Sequence, residues 1–285
     1  MEAWVEGDVN KYVHGYSPRE IQRLQEQSDI LEELLHSGTA YPAGSKVLEA
    51  GCGVGAQTIL LAKRSPAADF TCVDVSQGYL DQAKVNLHKN AISNVCLQQS
   101  DIMDLPFDEE NFDHVFVCFV LEHLSEPSMA LAELRRLLKK GGTITAIEGD
   151  HGSCFWYPET EESLTVWECM IKVQQHLGHD PFIGRRLYPL LMESGFTVKD
   201  VSPRWVYADA MNPELMDGVV NKIIVPMTQT AREQSLELGL VDDATWQKGI
   251  ADLEKSGIPP DGTFFYTWFN LGLGRVSLRI SKKAY

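Results

Sequence analysis

The chain has 285 residues, of which 44% are hydrophobic, and its formal net charge is −15. This length can bury a substantial core, either as one elaborated domain or as one domain with a cap. A nucleic-acid binder normally carries a basic surface that displaces counterions from phosphates, so DNA and RNA are disfavoured as partners.

The cysteines and the apolar segments indicate in which cellular compartment the protein is located. The six cysteines form no CxxC pair, and most of them lie in apolar, strand-like segments. We interpret them as reduced, buried thiols and not as zinc ligands or disulfides. The N-terminus lacks an apolar signal region, and the apolar run at 115–121 is too short to cross a bilayer. We therefore expect a cytoplasmic protein with no membrane span and no metal.

The first half of the chain predicts a helix followed by alternating strands and helices. Ser17 and Pro18 are typical of a helix start, and apolar residues follow at helical spacing as far as Gly38. Continuous apolar strands separated by amphipathic helices indicate a parallel sheet with helices on both faces. The predicted strands lie near 46–50, 70–75, 95–99, 112–118 and 143–148, and the helices between them near 56–64, 77–89 and 127–139.

After residue 148 the pattern changes. It predicts helices over 159–179 and 185–194, a strand over 196–207, a helical insertion over about 212–256 and a last strand over 263–269. We expect three parts in the chain. These are an N-terminal helical cap (1–40), an α/β core that binds a cofactor (41–150), and the remainder of the sheet (151–285) with a helical lid at about 155–182 and 209–260.

The most informative segment joins the first predicted strand to the next helix and reads Glu49-Ala50-Gly51-Cys52-Gly53-Val54-Gly55. Its three glycines let the backbone turn sharply and let a ligand lie directly against it. The helix start that follows favours polar or anionic groups of a ligand. Glu49 would repel a bound pyrophosphate but attract an ammonium group. The segment therefore predicts a nucleoside-like ligand with a positive charge, and S-adenosylmethionine fits that description.

This segment resembles the first motif of class I S-adenosylmethionine-dependent methyltransferases. Later segments resemble further motifs of that family in the same order, at 70–76, 99–102 with 105–107, 112–117 and 138–142. The most similar branch is the small-molecule group that includes quinone-biosynthesis C-methyltransferases, and the motifs cover about residues 45–150. The resemblance implies a Rossmann-like fold, with a doubly wound, seven-stranded, mostly parallel sheet, an antiparallel last strand and helical lid insertions.

Ligands of such sheets bind beyond the carboxyl ends of the strands. By resemblance, Asp74 would bind the ribose hydroxyls, and Asp101 with the backbone of Ile102 would hold the adenine edge. We expect S-adenosyl-L-methionine to contact ten residues in all, namely Tyr16, Glu49, Gly51, Gly53, Gly55, Asp74, Val75, Asp101, Ile102 and Phe119.

Methyl transfer from a sulfonium is an in-line displacement, so the protein must mainly align the acceptor, the methyl group and the sulfur. Some acceptors also need a general base. Glu122-His123 follows the fourth predicted strand, and His151 follows the fifth. We expect His123, His151 and Glu122 to be catalytic, because histidine titrates near neutral pH. A helix-entry cap or loop hydrogen bonds would explain Glu122-His123 equally well.

The acceptor is expected to be a small molecule methylated on oxygen, nitrogen or carbon. If aromatic side chains of the C-terminal half line the lid, they favour a flat apolar or cationic acceptor over a sugar or phosphate. The chain lacks an Asn/Asp-Pro-Pro-Tyr/Phe segment after the fourth predicted strand. This absence disfavours planar amide nitrogens as targets.

Two other interpretations stay open. Gly51-x-Gly53-x-x-Ala56 formally satisfies the dinucleotide fingerprint, so an NAD(P)-dependent oxidoreductase is one alternative. Glu49 and the order of the motifs disfavour it. The second alternative is a regulatory protein that binds the cofactor without catalysis, since a fold alone does not establish activity.

Overall fold

The computed structural model describes residues 14, 15, 17–260 and 262–276. Its first half follows the predicted alternation, except that β5 begins at Leu138, where the preceding helix was expected to continue. The elements are α1 (Pro18–His36), β1 (Lys46–Ala50), α2 (Ala56–Arg64), β2 (Asp69–Asp74), α3 (Gln77–Lys89), β3 (Val95–Gln99), β4 (Phe112–Cys118), α4 (Pro127–Leu137) and β5 (Leu138–Gly149).

The second half contains more and shorter elements than the sequence indicated. They are β6 (Phe155–Tyr157), α5 (Glu161–His176), α6 (Leu187–Glu193), β7 (Phe196–Val198), β8 (Ser202–Ala208), α7 (Pro213–Asp217), a π-helical segment (Gly218–Ile224), α8 (Val225–Gln229), α9 (Arg232–Glu237), α10 (Asp243–Lys255) and β9 (Thr263–Val276). Short 3₁₀ turns follow β4 (Leu121–His123) and β5 (His151–Ser153), and a third precedes α6 (Ile183–Arg186).

The strands form one mixed sheet. β3, β2, β1, β4 and β5 are neighbours in that order and run parallel, and β9 then pairs antiparallel with β5. The predicted doubly wound α/β class is confirmed. Among the residues that the structure describes, the expected seven strands become nine, because the strand predicted at 196–207 is interrupted into β7 and β8, and because β6 was not predicted. The short strand β6 lies beside β9 on the same edge as β5, whereas β7 and β8 pair with the opposite edge.

Helices cover both faces of this sheet. Successive side chains of a strand point to opposite faces, so a sheet with two buried faces needs two cores. Val47 packs in one core with residues of α1 and α2, whereas its neighbour Leu48 packs in the other with residues of α4. This double burial explains why the central parallel strands are largely apolar and were recognisable in the sequence.

Close contact between α5 and α10 stabilises the helical half. A β-carbon on Gly249 of α10 would lie 2.3 Å from the backbone oxygen of Glu162 and 2.6 Å from Val166 Cγ1. The two helices can therefore approach this closely only because residue 249 has no side chain.

We predict that Gly249→Ala lowers the free energy of unfolding by about 1–3 kcal/mol, because the added methyl group overpacks the helix contact. Gly78→Ala in α3 is the matched control, since its β-carbon would lie 3.9 Å from Ser76 Oγ. That change should be neutral or stabilising by up to about 1 kcal/mol. Urea unfolding measures both, and equal stabilities of the two variants would contradict the prediction.

Candidate active site

A cavity of about 470 Å³ lies at the carboxyl ends of the parallel strands. Its walls come from the turn after β1, the ends of β2 and β3, and the loops after β4 and β5. α1, the starts of α2 and α3, the π-helical segment, α8 and β9 contribute further walls. Ten of the predicted site residues line this cavity, namely Gly51, Gly53, Asp74, Val75, Asp101, Ile102, Phe119, Glu122, His123 and His151.

The turn after β1 needs glycine for steric reasons. Gly51 has a φ of +78°, and a β-carbon there would lie 2.4 Å from Val120 Cγ2. Any side chain at this position would push the turn away from the loop after β4. Gly55 has a different environment, because a β-carbon there would meet Ala83 of α3 at 3.1 Å. The structure therefore explains Gly55 by helix packing, and its predicted contact with a cofactor stays a prediction.

Asp74 ties the glycine turn to the end of β2. Its Oδ2 accepts a hydrogen bond of 2.8 Å from the Gly53 backbone N–H, and its Oδ1 accepts one of 2.9 Å from Ser76 N–H. Burial raises the pKa of this carboxyl group, although the backbone N–H groups oppose that shift. Asp74 thus lines the cavity with its carboxylate already oriented by the backbone.

Glu49 lies apart from the residues that line the cavity. It is 2% exposed, and its Oε2 accepts hydrogen bonds from Thr58 Oγ1 at 2.6 Å and Cys72 Sγ at 3.3 Å. Burial raises its pKa to about 7, although these two donors oppose the shift. Contact of Glu49 with a ligand ammonium stays a prediction.

The part of the cavity wall that follows β3 is more exposed to solvent. Asp101 is exposed, and its Oδ1 accepts a hydrogen bond of 2.9 Å from Met103 N–H. Ile102 is buried beside it. Phe119 has a φ of +55°, which is costly for a bulky residue and is held by its N–H bond to the Ile147 carbonyl. Tyr16 lies outside the described residues.

Glu122 is the centre of a cluster of imidazoles. It is 6% exposed, with His151 Nε2 at 3.3 Å from Oε2 and His123 Nε2 at 3.8 Å from Oε1. The rings of His14 and His179 pack edge-on against His123, with centroids at 5.8 Å and 5.5 Å. The structure therefore brings all three predicted catalytic residues together.

Burial and charge set the protonation of this cluster. Burial alone would raise the pKa of Glu122, but His123, the hydrogen bond from His151 and Arg23 together lower it. Burial lowers the pKa of His123 to about 4, against the attraction of Glu122. At neutral pH the cluster therefore holds a carboxylate at Glu122 and a neutral imidazole at His123.

Glu148 positions the loop after β4. It is fully buried, and its Oε1 accepts hydrogen bonds from Leu121 N–H at 2.8 Å and Val120 N–H at 3.1 Å. Burial raises the pKa of Glu148 well above its ordinary value, and the negative charge of Glu122 adds to this shift. Glu148 thus holds the backbone that presents Phe119 and Glu122 to the cavity.

Several residues of the site were not predicted from the sequence. Tyr266 places its hydroxyl oxygen 2.5 Å from His151 Nδ1, and Trp268 lines the cavity beside it. Arg23 of α1 also lines the cavity, with its guanidinium bound by both carboxylate oxygens of Glu20. Only the alternation of buried aromatic residues along β9 could have indicated Tyr266 and Trp268. Nothing local in the sequence connects them to His151.

Within 14–15, 17–260 and 262–276, no three histidine, cysteine or carboxylate side chains are grouped as ligands of a metal ion. In the same part of the chain, no helix combines the length and the apolar character that crossing a membrane requires.

The comparison with known proteins points to one class. Residues 48–146 match the family model described as a methyltransferase domain. An uncharacterized methyltransferase of Schizosaccharomyces pombe is 27% identical over 78% of this chain and 84% of that protein. A demethylmenaquinone methyltransferase of Staphylococcus aureus is 34% identical over 43% of this chain, and the match spans only about half (51%) of that enzyme.

A solved structure shows the same fold. Phosphoethanolamine N-methyltransferase 2 of Haemonchus contortus, in complex with S-adenosylhomocysteine, superposes with a TM-score of 0.53 at 16% identity. The superposition covers 88% of this chain and 52% of that one. At this identity the likeness concerns the fold alone.

Together with the fold and the glycine turn, these matches support a class I S-adenosylmethionine-dependent methyltransferase, with the family match itself confined to residues 48–146. The family that the sequence resembled is confirmed. The alternative of an NAD(P)-dependent oxidoreductase is not favoured.

The burial of the Glu49 carboxyl group should make the free energy of unfolding depend on pH. Its pKa rises from 4.5 to about 7 on folding, so between these values the folded state keeps a proton that the unfolded state loses. Stability should therefore fall as pH rises through this window, by on the order of 3 kcal/mol, since one pKa unit corresponds to about 1.4 kcal/mol.

Glu49→Gln should remove this part of the pH dependence, and urea unfolding from pH 5 to pH 8 measures the difference between the two proteins. Glu109→Gln at an exposed position is the control and should leave the wild-type profile unchanged. Parallel curves for wild type and Glu49→Gln would contradict the perturbed pKa.

Proposed function

We propose that this protein transfers a methyl group from S-adenosylmethionine to a small-molecule acceptor. One observation carries the proposal: a single cavity joins the glycine turn and Asp74 to the cluster around Glu122. Its volume of about 470 Å³ falls in the range of small-molecule sites, roughly 300–1,000 Å³. A donor and an acceptor could therefore meet inside one cavity.

The cofactor side of the cavity fits an adenosine. Asp74 presents a carboxylate to the cavity, which suits a pair of ribose hydroxyls. Ile102 and Phe119 supply apolar walls for the adenine, and Asp101 lies beside them as an acceptor for its amino group. The glycine turn leaves the backbone accessible for the amino-acid end. These residues are the ones that would hold the cofactor.

S-adenosylmethionine supplies an electrophilic methyl group on a sulfonium, and its leaving group needs no proton. The work of the protein is therefore alignment, exclusion of water and, for some acceptors, removal of a proton. α1 covers the cavity with Leu24 and Gln27, and Glu122 with His151 provides polar groups on the acceptor side.

The acceptor side favours a flat, apolar molecule. Ile223, Met227 and Trp268 line it, and the charge of Arg23 is matched by the carboxylate of Glu20. The similarity to a demethylmenaquinone methyltransferase, which extends over 43% of this chain, supports an aromatic acceptor of quinol type. The methylated atom would be oxygen or carbon in such a molecule.

The proposal also includes the cellular location of the protein and the division of the chain into three parts. All six cysteines are free thiols and five of them are buried, which supports a reducing, cytoplasmic location. Residues 1–40 would act as the cap, 41–150 as the cofactor-binding core, and 151–285 as the rest of the sheet, with the lid at 155–182 and 209–260.

Calorimetry tests the cofactor. Wild-type protein should bind S-adenosylhomocysteine and should not bind NADH. Asp74→Ala should weaken S-adenosylhomocysteine binding about 10-fold to 100-fold, because a hydrogen bond to a charged group contributes about 1.5–3 kcal/mol. Asp81→Ala, which removes an exposed carboxylate from the neighbouring helix α3, is the control and should bind like wild type. Binding of NADH alone, or unchanged affinity in Asp74→Ala, would refute the assignment.

Methyl transfer itself is tested with radiolabelled S-adenosylmethionine and a panel of quinols, phenols and amines. Labelled product should form with at least one acceptor of the panel. Cofactor binding with no product from any acceptor class would favour the regulatory alternative over an enzyme.

A further inference from the structure

The ring of His151 is held on both sides. Its Nδ1 lies 2.5 Å from the Tyr266 hydroxyl oxygen, and its Nε2 lies 3.3 Å from Glu122 Oε2. The backbone around it is fixed as well, because His151 N–H donates to the Pro181 carbonyl and its own carbonyl accepts from Trp167 Nε1. An acceptor could reach a ring nitrogen only by breaking one of these contacts.

These contacts define one tautomer. Burial raises the pKa of Tyr266 well above its ordinary value, with nearby acidic groups adding to the shift. The phenol therefore keeps its proton and donates it to Nδ1 of His151. A neutral imidazole has one donor and one acceptor nitrogen, so the hydrogen then lies on Nε2, which is 3.3 Å from Glu122 Oε2 and 3.4 Å from the side-chain amide of Gln174.

From this geometry, and resting on the proposed methyl transfer, we propose that Tyr266, His151 and Glu122 form a proton relay. The Tyr266 hydroxyl is its acceptor-facing end and the catalytic residue. His151 and Glu122 are positioning residues that act through it. Tyr266 lines the cavity next to Trp268 and Gly149, and His151, which the sequence suggested as an acceptor-facing residue, lines it as well.

Gly149 supports this role for Tyr266. A β-carbon at residue 149 would lie 2.9 Å from the Tyr266 hydroxyl oxygen, closer than real β-carbons come to other atoms. The strand end of β5 therefore leaves space for the hydroxyl. Trp167 packs edge-on against both Tyr266 and His151, with ring centroids at 6.3 Å and 5.5 Å, and so restrains the two rings that share the proton.

The proposed step transfers one proton along the relay and one methyl group to the acceptor. An O–H bond of the acceptor breaks, its proton goes to Tyr266 Oη, and the proton of Tyr266 moves to His151 Nδ1. The electron pair left on the acceptor forms the bond to the methyl carbon, while the carbon–sulfur bond breaks and its electron pair stays on the neutral sulfide. His151 becomes an imidazolium ion, which the Glu122 carboxylate stabilises as the aspartate does in a Ser-His-Asp triad.

The relay specifies a class of acceptor, because it serves only a molecule that loses a proton. A phenol or quinol hydroxyl meets this condition, and deprotonation of a quinol also activates its ring carbons. A tertiary amine has no proton to lose. The relay therefore predicts 1,4-naphthoquinol as a substrate and N,N-dimethylaniline, which is also flat and apolar, as a non-substrate.

Nitrogen-15 NMR of the full chain tests the relay without any acceptor. His151 should show a protonated Nε2 and an unprotonated Nδ1, with the signal assigned by its absence in His151→Gln. Tyr266→Phe should relax this preference and give a mixture of tautomers, whereas Tyr207→Phe, the same change at an exposed tyrosine of β8, should not. A protonated Nδ1 in the wild type would overturn the relay even if methyl transfer were established.

Kinetics with 1,4-naphthoquinol provide the second measurement. Tyr266→Phe should lower kcat on the order of 100-fold or more, the range of general acid–base catalysis, while KM for S-adenosylmethionine and the thermal unfolding midpoint stay at wild-type values. Tyr207→Phe should keep the full kcat. An unchanged kcat in Tyr266→Phe, or methylation of N,N-dimethylaniline by the wild type at the rate of naphthoquinol, would overturn the relay. If the wild-type protein does not bind S-adenosylhomocysteine, the proposed function itself is overturned.

Discussion

The geometry of this site depends on the close approach of two loops, the glycine turn after β1 and the loop after β4. Gly51 meets the side chain of Val120 so closely that no β-carbon fits between them. Glu148 in turn fixes the loop after β4, because its carboxyl oxygen accepts hydrogen bonds from the N–H groups of Val120 and Leu121. One buried carboxyl group therefore fixes the distance between the cofactor side of the cavity and Glu122.

Collecting acidic side chains at one end of the sheet is unfavourable, and the structure shows how the repulsion is reduced. A buried charge is costly unless it is paired, and otherwise the group neutralises by a shift of its pKa. Glu49 and Glu148 have raised pKa values and hydrogen bonds from neutral donors. Glu122 is surrounded by imidazoles and has a lowered pKa. Negative charge is therefore concentrated at Glu122, where it would stabilise the imidazolium that His151 becomes in the proposed relay.

The cofactor half of the site could be predicted from the sequence because its determinants are local. The glycine turn directly follows β1, Asp74 ends β2 21 positions after Gly53, and burial of the central strands on both faces makes their sequences largely apolar. Asp74 was predictable in this way, and the structure places it on the cavity wall.

The acceptor half was not predictable for a physical reason. Tyr266 and His151 are 115 positions apart and meet only because β9 pairs antiparallel with β5. The strand at 196–207 was predicted as continuous, yet it is interrupted between β7 and β8 while both parts pair with β9. Register of this kind depends on the whole sheet and leaves no local pattern. The sequence could place polar groups at strand ends, but it could not show which of them touch.

The position of α1 connects the two halves of the cavity. Ser28 Oγ donates to the carbonyl of Ala56 at the start of α2, which binds the helix to the glycine turn. On its other side, Ile30 packs against Gly218, where a β-carbon would lie 3.1 Å away, at the start of the π-helical segment. π-Helical turns are rare and occur frequently at functional sites. Because this segment also carries Ile223 to the cavity wall, α1 cannot move away from the acceptor side without disturbing its contacts on the cofactor side. The helix that covers the cavity is thus bound to both ligand compartments, and the packing that encloses the acceptor also holds the turn that would bind the cofactor.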